Sequence, residues 1–276
     1  MVSDETEDTT TIPAHPAATV MLVRDAKPPG AGRGAGGVEV FVMRRTLGAA
    51  FAAGMYVFPG GRVDEADGGD AIERYIDGLD DEVASARLGI ERGGLAFWVA
   101  AIRECFEESG LLLARTRSGA VPTPAVGERE AVHRGELSMT ELCGRHDLVL
   151  DAGAMRYVAH WVTPVSETSR RFDTRFFLVA APAEQEGRHD HGETVDSRWV
   201  RPADALREVE SGALTMMPPT IVNLQFLEGC ADAAEAMAKA DRAAPPVCVQ
   251  PRIRRDAAGA IVDFAMPDDP AYDSLA

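Results

Sequence analysis

Apolar residues follow two different periods along this chain of 276 residues. A two-residue period and β-branched runs predict strands in residues 17–23, 38–43, 157–165 and 176–180. A period of three to four residues predicts helices, in residues 72–88, 97–109, 136–143, 202–211 and 218–240. Because strands and helices alternate, we expect an α/β fold with a mixed sheet.

The two ends of the chain depart from this alternation. Residues 1–16 are rich in Thr, Asp and Glu and contain two prolines, which predicts a disordered tail. We expect residues 17–276 to form a single domain, with residues 202–276 as a C-terminal elaboration of helices and a β-hairpin. The hairpin strands are predicted at residues 247–254 and 260–266.

The composition excludes several classes of protein. Hydrophobic residues make up 46% and charged residues 26%, as in ordinary soluble proteins. The chain has no apolar run of the roughly 18–20 residues that a membrane span needs, and its N-terminus is acidic, so we expect neither a membrane partner nor a signal peptide. The four cysteines are scattered, which predicts reduced thiols in a cytoplasmic protein.

The net charge of −16 bears on the partners of this protein. A nucleic-acid backbone binds to basic surfaces, so we expect no nucleic-acid partner. An anionic small molecule is not attracted by the overall field either, and only a local group of arginines could hold it.

Three glutamates share one face of the helix predicted at residues 97–109. Glu104, Glu107 and Glu108 stand at i, i+3 and i+4, a spacing that places their side chains together. Like charges at this spacing oppose a helix by about 0.2–0.5 kcal/mol per pair, so we expect a cation between them. Mg²⁺ and Mn²⁺ prefer such oxygen ligands.

A glycine pair upstream offers a second element of a site. Gly60 and Gly61 follow a predicted strand, where a backbone without side chains can approach a phosphate or offer a carbonyl to a metal ion. By itself, such a glycine pair predicts only a turn. Together with the glutamate helix, it becomes a candidate part of a site.

Residues 103–111, Arg-Glu-Cys-Phe-Glu-Glu-Ser-Gly-Leu, resemble the second half of the Nudix box. The stretch from Gly61 to Asp67 resembles its first half, with Asp67 where the family has Glu. Residues 68–102 separate the halves and contain an insertion relative to the family pattern. With the segments 161–164 and 171–177, this interrupted box resembles the Nudix branch that contains peroxisomal coenzyme A diphosphatases.

The resemblance implies a Nudix-type α/β/α sandwich with a mixed sheet and a helical insertion. It also implies hydrolysis of a nucleoside diphosphate linked to another group, with Mg²⁺ or Mn²⁺ held by Gly61, Glu104, Glu107 and Glu108. Arg103 would orient Glu107, one turn along the helix. Either Glu107, Glu108 or the loop residue Glu193 would accept the proton of the attacking water.

Arginines near the predicted site are candidates for contacts to substrate phosphates, because guanidinium groups match phosphate oxygens. The candidates are Arg44, Arg45, Arg62, Arg170, Arg171 and Arg175. The expected substrate is coenzyme A or an acyl derivative. Two alternatives remain open: a pyrophosphohydrolase for ADP-ribose or a dinucleotide such as NADH, and a non-catalytic nucleotide-binding regulatory module.

The insertion carries apolar residues at near-helical spacing, which predicts one or two short helices. We expect these helices to pack beside the site or at a subunit interface, as in a homodimer.

Overall fold

The structure is a computed structural model that describes residues 12–26, 36–49, 52–165, 170–190 and 192–275. Its strands are β1 (Ala14–Asp25), β2 (Val38–Arg45), β3 (Tyr56–Val57), β4 (Gly60–Arg62), β5 (Ala114–Thr116), β6 (Leu148–Leu150), β7 (Arg156–Val162), β8 (Arg171–Ala180), β9 (Thr194–Val200), β10 (Cys248–Val249), β11 (Arg252–Arg255) and β12 (Ile261–Ala265). Its α-helices are α1 (Asp70–Glu73), α2 (Asp81–Leu88), α3 (Leu95–Ser109), α4 (Glu128–His133), α5 (Met139–His146), α6 (Pro202–Glu210), α7 (Pro218–Leu227) and α8 (Ala233–Arg242).

The main sheet is mixed, as the alternation of elements predicts. Among the described residues its strands run in the order β10-β7-β8-β1-β2-β3, with β4 added beside β1 and β9 beside β2. The β1–β8 and β7–β10 pairs are parallel, whereas β1 pairs antiparallel with both β2 and β4. On one side of β1, β4 pairs with its first half and β2 with its second half. The glycine turn therefore lies where the pairing of β1 passes from one strand to the other.

Two hydrophobic cores cover the two faces of this sheet. Ala18, Val20 and Leu22 of β1 pack with the buried side of α3, while the alternate residues Met21 and Val23 pack with the C-terminal helices. A strand that is buried on both faces carries a nearly continuous apolar run, which explains the sequence of β1. The predicted α/β/α sandwich is confirmed.

Two predicted boundaries are corrected. The first strand begins at Ala14 instead of residue 17, because parallel pairing with β8 starts at Arg171, so residues 14–16 belong to the sheet. The rest of the predicted tail, residues 1–11, lies outside the described residues apart from the short lead-in at 12–13. The helix predicted at 218–240 is two helices, since Asp232 caps a new one by accepting a hydrogen bond from the Glu235 amide at 2.7 Å.

The interval that separates the two halves of the box contains the start of helix α3. Helix α3 starts at Leu95, so residues 95–102 are its first two turns, and the inserted part ends at the glycines that precede it. The inserted helix α2 caps α3: the Asp81 carboxylate accepts hydrogen bonds from the Gly93 and Leu95 amides, each at 2.9 Å. The Ser85 hydroxyl accepts from the Gly94 amide at 2.9 Å.

The C-terminal region joins the sheet at one edge. The predicted hairpin is present as β11 and β12, and β10 adds to the main sheet beside β7. Within the described parts of the chain, none of the helices has the length and apolar character that crossing a membrane requires.

Candidate active site

The glycine turn is pressed against the glutamate face of α3. The Gly60 amide donates a 2.8 Å hydrogen bond to Oε2 of Glu108. A Cβ atom on Gly61 would lie only 2.4 Å from Oε1 of Glu104. A side chain at position 61 would displace the Glu104 carboxylate, so β4 and α3 together define one wall of the site.

Arg103 is the centre of a network that joins the two halves of the box. Its Nη1 donates to Oε1 of Glu104 at 2.9 Å and to Oε1 of Glu107 at 3.0 Å. Its Nη2 donates to the Arg62 carbonyl at 2.8 Å, and its Nε and Nη2 hold both carboxylate oxygens of Asp67. Burial alone would lower the pKa of Arg103, but these carboxylates outweigh it and raise that pKa above its ordinary value.

Asp67, which stands where the family has Glu, is a buried partner of Arg103. The side chain is buried at 2% exposure and also accepts a 2.8 Å hydrogen bond from the Asp64 amide. The shorter carboxylate reaches Arg103 because the one-turn helix Glu65–Asp67 brings it close.

Two carboxylates of α3, those of Glu104 and Glu108, are costly to charge in this position. Burial, with the Glu107 charge close by, raises the pKa of Glu104 to about 7, although Arg103 acts in the opposite direction. Burial and the neighbouring Glu104 raise the pKa of Glu108 well above its ordinary value. Like charges that are removed from water favour the neutral form, and a cation among them would reverse that preference.

Glu193 reaches the same site from a distant part of the chain. Antiparallel pairing of β2 with β9 sets Arg45 opposite Thr194. Arg45 Nη2 then lies 3.1 Å from Oε2 of Glu193, and its Nη1 lies 4.0 Å from Oε1 of Glu108. Asp190 holds this loop, because its carboxylate accepts hydrogen bonds from the Glu193 and Thr194 amides, both at 3.0 Å.

These groups line an open cleft with a volume of about 820 Å³. The predicted site residues that line it are Arg45, Gly61, Arg62, Arg103, Glu104, Glu107, Glu108, Arg170 and Glu193. The structure therefore brings together residues from β2, β4, α3 and the loop before β9.

Three of the predicted arginines lie outside the cleft lining, and their expected substrate contacts are corrected. Arg175 is buried, with Nη1 2.7 Å from Oδ1 of Asp173 and its guanidinium over the Phe97 ring. Arg171 is also buried and donates to the carbonyls of Ile12 and Thr163. Arg44 points away from the cleft towards the Gly54 carbonyl, because adjacent residues of a strand face opposite sides.

Sequence reasoning missed one wall of the cleft. The segment from α4 to the start of α5 contributes Val132, His133, Gly135, Leu137, Ser138 and Met139, and the opposite wall includes Phe172 and Thr174 of β8. His133 Nδ1 lies 3.5 Å from Oε2 of Glu107. An isolated histidine in a short polar helix carries no sequence signal for this position.

The donor set fits a hard divalent cation. Within the described ranges, no three His, Cys, Asp or Glu side chains are gathered as a metal-binding cluster, and Arg103 lies between Glu104 and Glu107 instead. Arg103 takes one oxygen of each, and Gly60 takes one oxygen of Glu108. A carboxylate has about four lone-pair sites, so each of the three can accept a cation besides these partners. All these donors are oxygens on a rigid helix, as Mg²⁺ and Mn²⁺ prefer.

Comparison with known sequences identifies the family. A sequence profile described as the NUDT19 Nudix domain matches residues 80–227, which is more than half of the chain. The chain belongs to this Nudix family. The predicted resemblance to the coenzyme A diphosphatase branch is thereby confirmed.

Named relatives agree with this assignment. This Nudix chain is 28% identical over 231 residues to "Acyl-coenzyme A diphosphatase NUDT19" of Xenopus laevis, covering 68% of this chain and 59% of that protein. It is 27% identical over 247 residues to the human protein of the same name, covering 76% of this chain and 66% of the relative. The match thus spans less than two thirds of the length of each relative.

A solved structure supports the Nudix fold independently. The crystal structure of a NUDIX hydrolase from Alicyclobacillus acidocaldarius superposes with a TM-score of 0.66 at 30% identity. The match covers 82% of this chain and 96% of that structure.

Proposed function

We propose that this protein is a Nudix pyrophosphohydrolase that cleaves coenzyme A or acyl-coenzyme A. Water would attack one phosphorus of the diphosphate, and the bridging P–O bond would break, which releases 3′,5′-ADP and a phosphopantetheine. The observation that carries the proposal is one cleft lined by Glu104, Glu107, Glu108 and Glu193 together with arginines. The names of the Xenopus and human relatives support the choice of substrate.

The carboxylates of α3, with the Gly61 carbonyl, would hold Mg²⁺ or Mn²⁺. When bound, such an ion neutralises phosphate oxygens and lowers the pKa of a bound water. Arg103 keeps Glu104 and Glu107 in place through its hydrogen bonds at 2.9 and 3.0 Å.

Exposure favours one carboxylate as the proton acceptor. The side chain of Glu193 is 52% exposed, whereas Glu107 is 8% and Glu108 is 5% exposed. Glu193 also lies on a loop, where it can reach a water in the cleft, while the α3 carboxylates are held by Arg103 and Gly60. We therefore assign the general base to Glu193.

The arginines of the cleft would neutralise part of the negative charge of the substrate. Coenzyme A carries a 3′-phosphate in addition to its diphosphate, so it brings more negative charge than ADP-ribose to a chain with a net charge of −16. Arg62 and Arg170 also line the cleft, and we propose that they contact the 3′-phosphate or the diphosphate.

Turnover with Mg²⁺ or Mn²⁺ tests the proposal against its alternatives. The purified protein is incubated with coenzyme A, an acyl-coenzyme A, ADP-ribose and NADH, and the products are identified by mass spectrometry. We expect 3′,5′-ADP from coenzyme A, and loss of turnover in Glu107→Gln and Glu108→Gln variants that keep their far-UV circular dichroism. Formation of AMP from ADP-ribose or NADH, without cleavage of coenzyme A, would instead indicate a pyrophosphohydrolase for ADP-ribose or a dinucleotide. Absence of turnover with every substrate would favour a non-catalytic regulatory module.

We also propose a compartment, a set of partners and an assembly for this protein. The scattered cysteines and the acidic composition support a cytoplasmic protein without nucleic-acid or membrane partners. A homodimer remains our proposal for the assembly, and sedimentation velocity would test it.

A further inference from the structure

Helix α4 contacts one glutamate of α3 at two points. The Nε of Arg129 donates a 2.9 Å hydrogen bond to the backbone carbonyl of Glu107. One turn further along α4, His133 Nδ1 lies 3.5 Å from Oε2 of the same residue. Because side chains at i and i+4 share a helix face, both groups approach Glu107 from the same side.

The position of α4 is well supported by packing. Val132 is buried between the two contact residues, and Glu128 at the start of the helix pairs with His146 of α5 at 2.7 Å. Gly110 makes room for the arginine: a Cβ atom there would lie 3.2 Å from Nη1 of Arg129. Gly110 also has a φ of +74° as the C-cap of α3, so one glycine serves the helix end and the contact with α4.

Three oxygen atoms of Glu107 therefore have a defined neighbour. Arg103 donates to Oε1 at 3.0 Å, His133 faces Oε2, and Arg129 holds the backbone carbonyl. A carboxylate with one oxygen and its backbone hydrogen-bonded, and with a histidine 3.5 Å from its second oxygen, is restricted in orientation, as metal ligands require.

We propose that Arg129 and His133 form a positioning clamp for Glu107, in which His133 directs the second carboxylate oxygen towards the cation. The inference rests on the proposed function, because it assigns Glu107 to the metal site. Groups that orient metal ligands typically change metal affinity or activity by about 10–100-fold when they are removed.

Substitution of His133 tests the clamp by a measurement that needs no substrate. Calorimetric titration with Mn²⁺ alone should show affinity about 10–100-fold weaker in His133→Ala than in the wild type. His133→Asn places an amide donor where Nδ1 stands and should restore most of the affinity, whereas His133→Gln places it near Nε2 and should not. The fall in activity of His133→Ala should lie in kcat, with KM for coenzyme A nearly unchanged.

His160→Ala is the matched control, since it removes a histidine–carboxylate contact, to Asp173 at 2.6 Å, between two residues outside the cleft lining. It should bind Mn²⁺ like the wild type, and all variants should keep the wild-type circular dichroism. Unchanged Mn²⁺ affinity in His133→Ala, or an Asn variant as weak as the Ala variant, would overturn the clamp. If the wild type binds Mn²⁺ but does not cleave coenzyme A, the substrate assignment fails while the titrations still decide the clamp. A wild type that binds no Mn²⁺ would overturn both.

Discussion

Arg103 and Asp67 form a two-point ion pair, with Nε 2.8 Å from Oδ1 and Nη2 2.9 Å from Oδ2. The pair joins the two halves of the Nudix box across the insertion, and Arg103 uses its remaining nitrogen to hold Glu104 and Glu107. Asp67 thus acts on the cleft indirectly, by fixing the arginine that arranges the carboxylates.

Asp67→Asn should destabilise the protein and lower its activity. Loss of one partner from a buried ion pair typically costs about 3–5 kcal/mol, and the lower end is expected because Arg103 keeps Glu104 and Glu107 as partners. Urea unfolding measures the stability, and kcat measures the effect on the carboxylates. Asp64→Ala is the control: this carboxylate is 62% exposed and 3.7 Å from Arg103, so its removal should cost less than about 1 kcal/mol. Equal stability of the Asp67 variant and the wild type would contradict the structural role of the pair.

The cap that Asp81 provides for α3 predicts a pH dependence. Burial alone would raise the pKa of Asp81, but hydrogen bonds from the Leu95 and Gly93 amides outweigh it and lower that pKa below its ordinary value. A carboxylate with a lowered pKa in the folded state stabilises it above the unfolded pKa of about 3.9, and the stabilisation is lost as the pH falls through the folded value.

Asp81→Asn should therefore cost about 1 kcal/mol of unfolding free energy at pH 7, and the difference from the wild type should shrink below pH 4. Denaturant unfolding at several pH values measures this difference. Glu82→Gln, at the exposed neighbouring position, is the control for removal of a charge from the same turn of α2. A pH-independent difference for Asp81→Asn would exclude a charged cap.

Gly61→Ala should remove activity while the fold is kept. The new Cβ would lie 2.4 Å from Oε1 of Glu104, and this flexible side chain can move away, so the carboxylate leaves its position. Displacement of a catalytic group by about 1 Å can cost about 100-fold in rate. Gly60→Ala should instead lower the melting temperature, because its Cβ would lie 2.5 Å from the Ala18 carbonyl oxygen of the backbone. Gly68→Ala, with its nearest neighbour at 3.6 Å, serves as the control. Normal kcat in Gly61→Ala would show that the close approach is unimportant.

Arginine substitutions should distinguish a contact with the 3′-phosphate from a general effect of positive charge on substrate binding. A charge-assisted hydrogen bond contributes about 1.5–3 kcal/mol, so Arg62→Ala or Arg170→Ala should lower kcat/KM for coenzyme A about tenfold or more. The loss should be smaller for 3′-dephospho-coenzyme A if the arginine contacts that phosphate. Arg44→Ala removes the same charge outside the cleft lining and should leave both values within about twofold of the wild type. Equal losses for both substrates in both cleft variants would assign these arginines to the diphosphate instead.

The sequence by itself determined the elements that follow from the pattern of residues within one segment. The i, i+3, i+4 spacing of Glu104, Glu107 and Glu108, and the apolar stripe opposite them, follow from the helical period alone, and they define the glutamate face of α3. Strands β1, β2, β7 and β8 are predicted from the sequence for the same reason, because their apolar residues record burial of a strand, whereas β3, β4 and β9 are not predicted.

Only the tertiary structure decided which arginines meet this face and which groups hold it. Arg45 lines the cleft and Arg44 does not, although they are neighbours, because the pairing of β2 with β3 and β9 selects the face that each side chain takes. Arg175 is buried although its neighbour Thr174 lines the cleft, because adjacent residues of β8 face opposite sides. The contacts of Arg103 with Asp67 and of Glu107 with His133 join segments that are far apart in the chain, and packing of whole elements brings them together. Local periodicity encodes which face of an element is apolar, whereas contacts between elements depend on register and packing, which no single segment specifies.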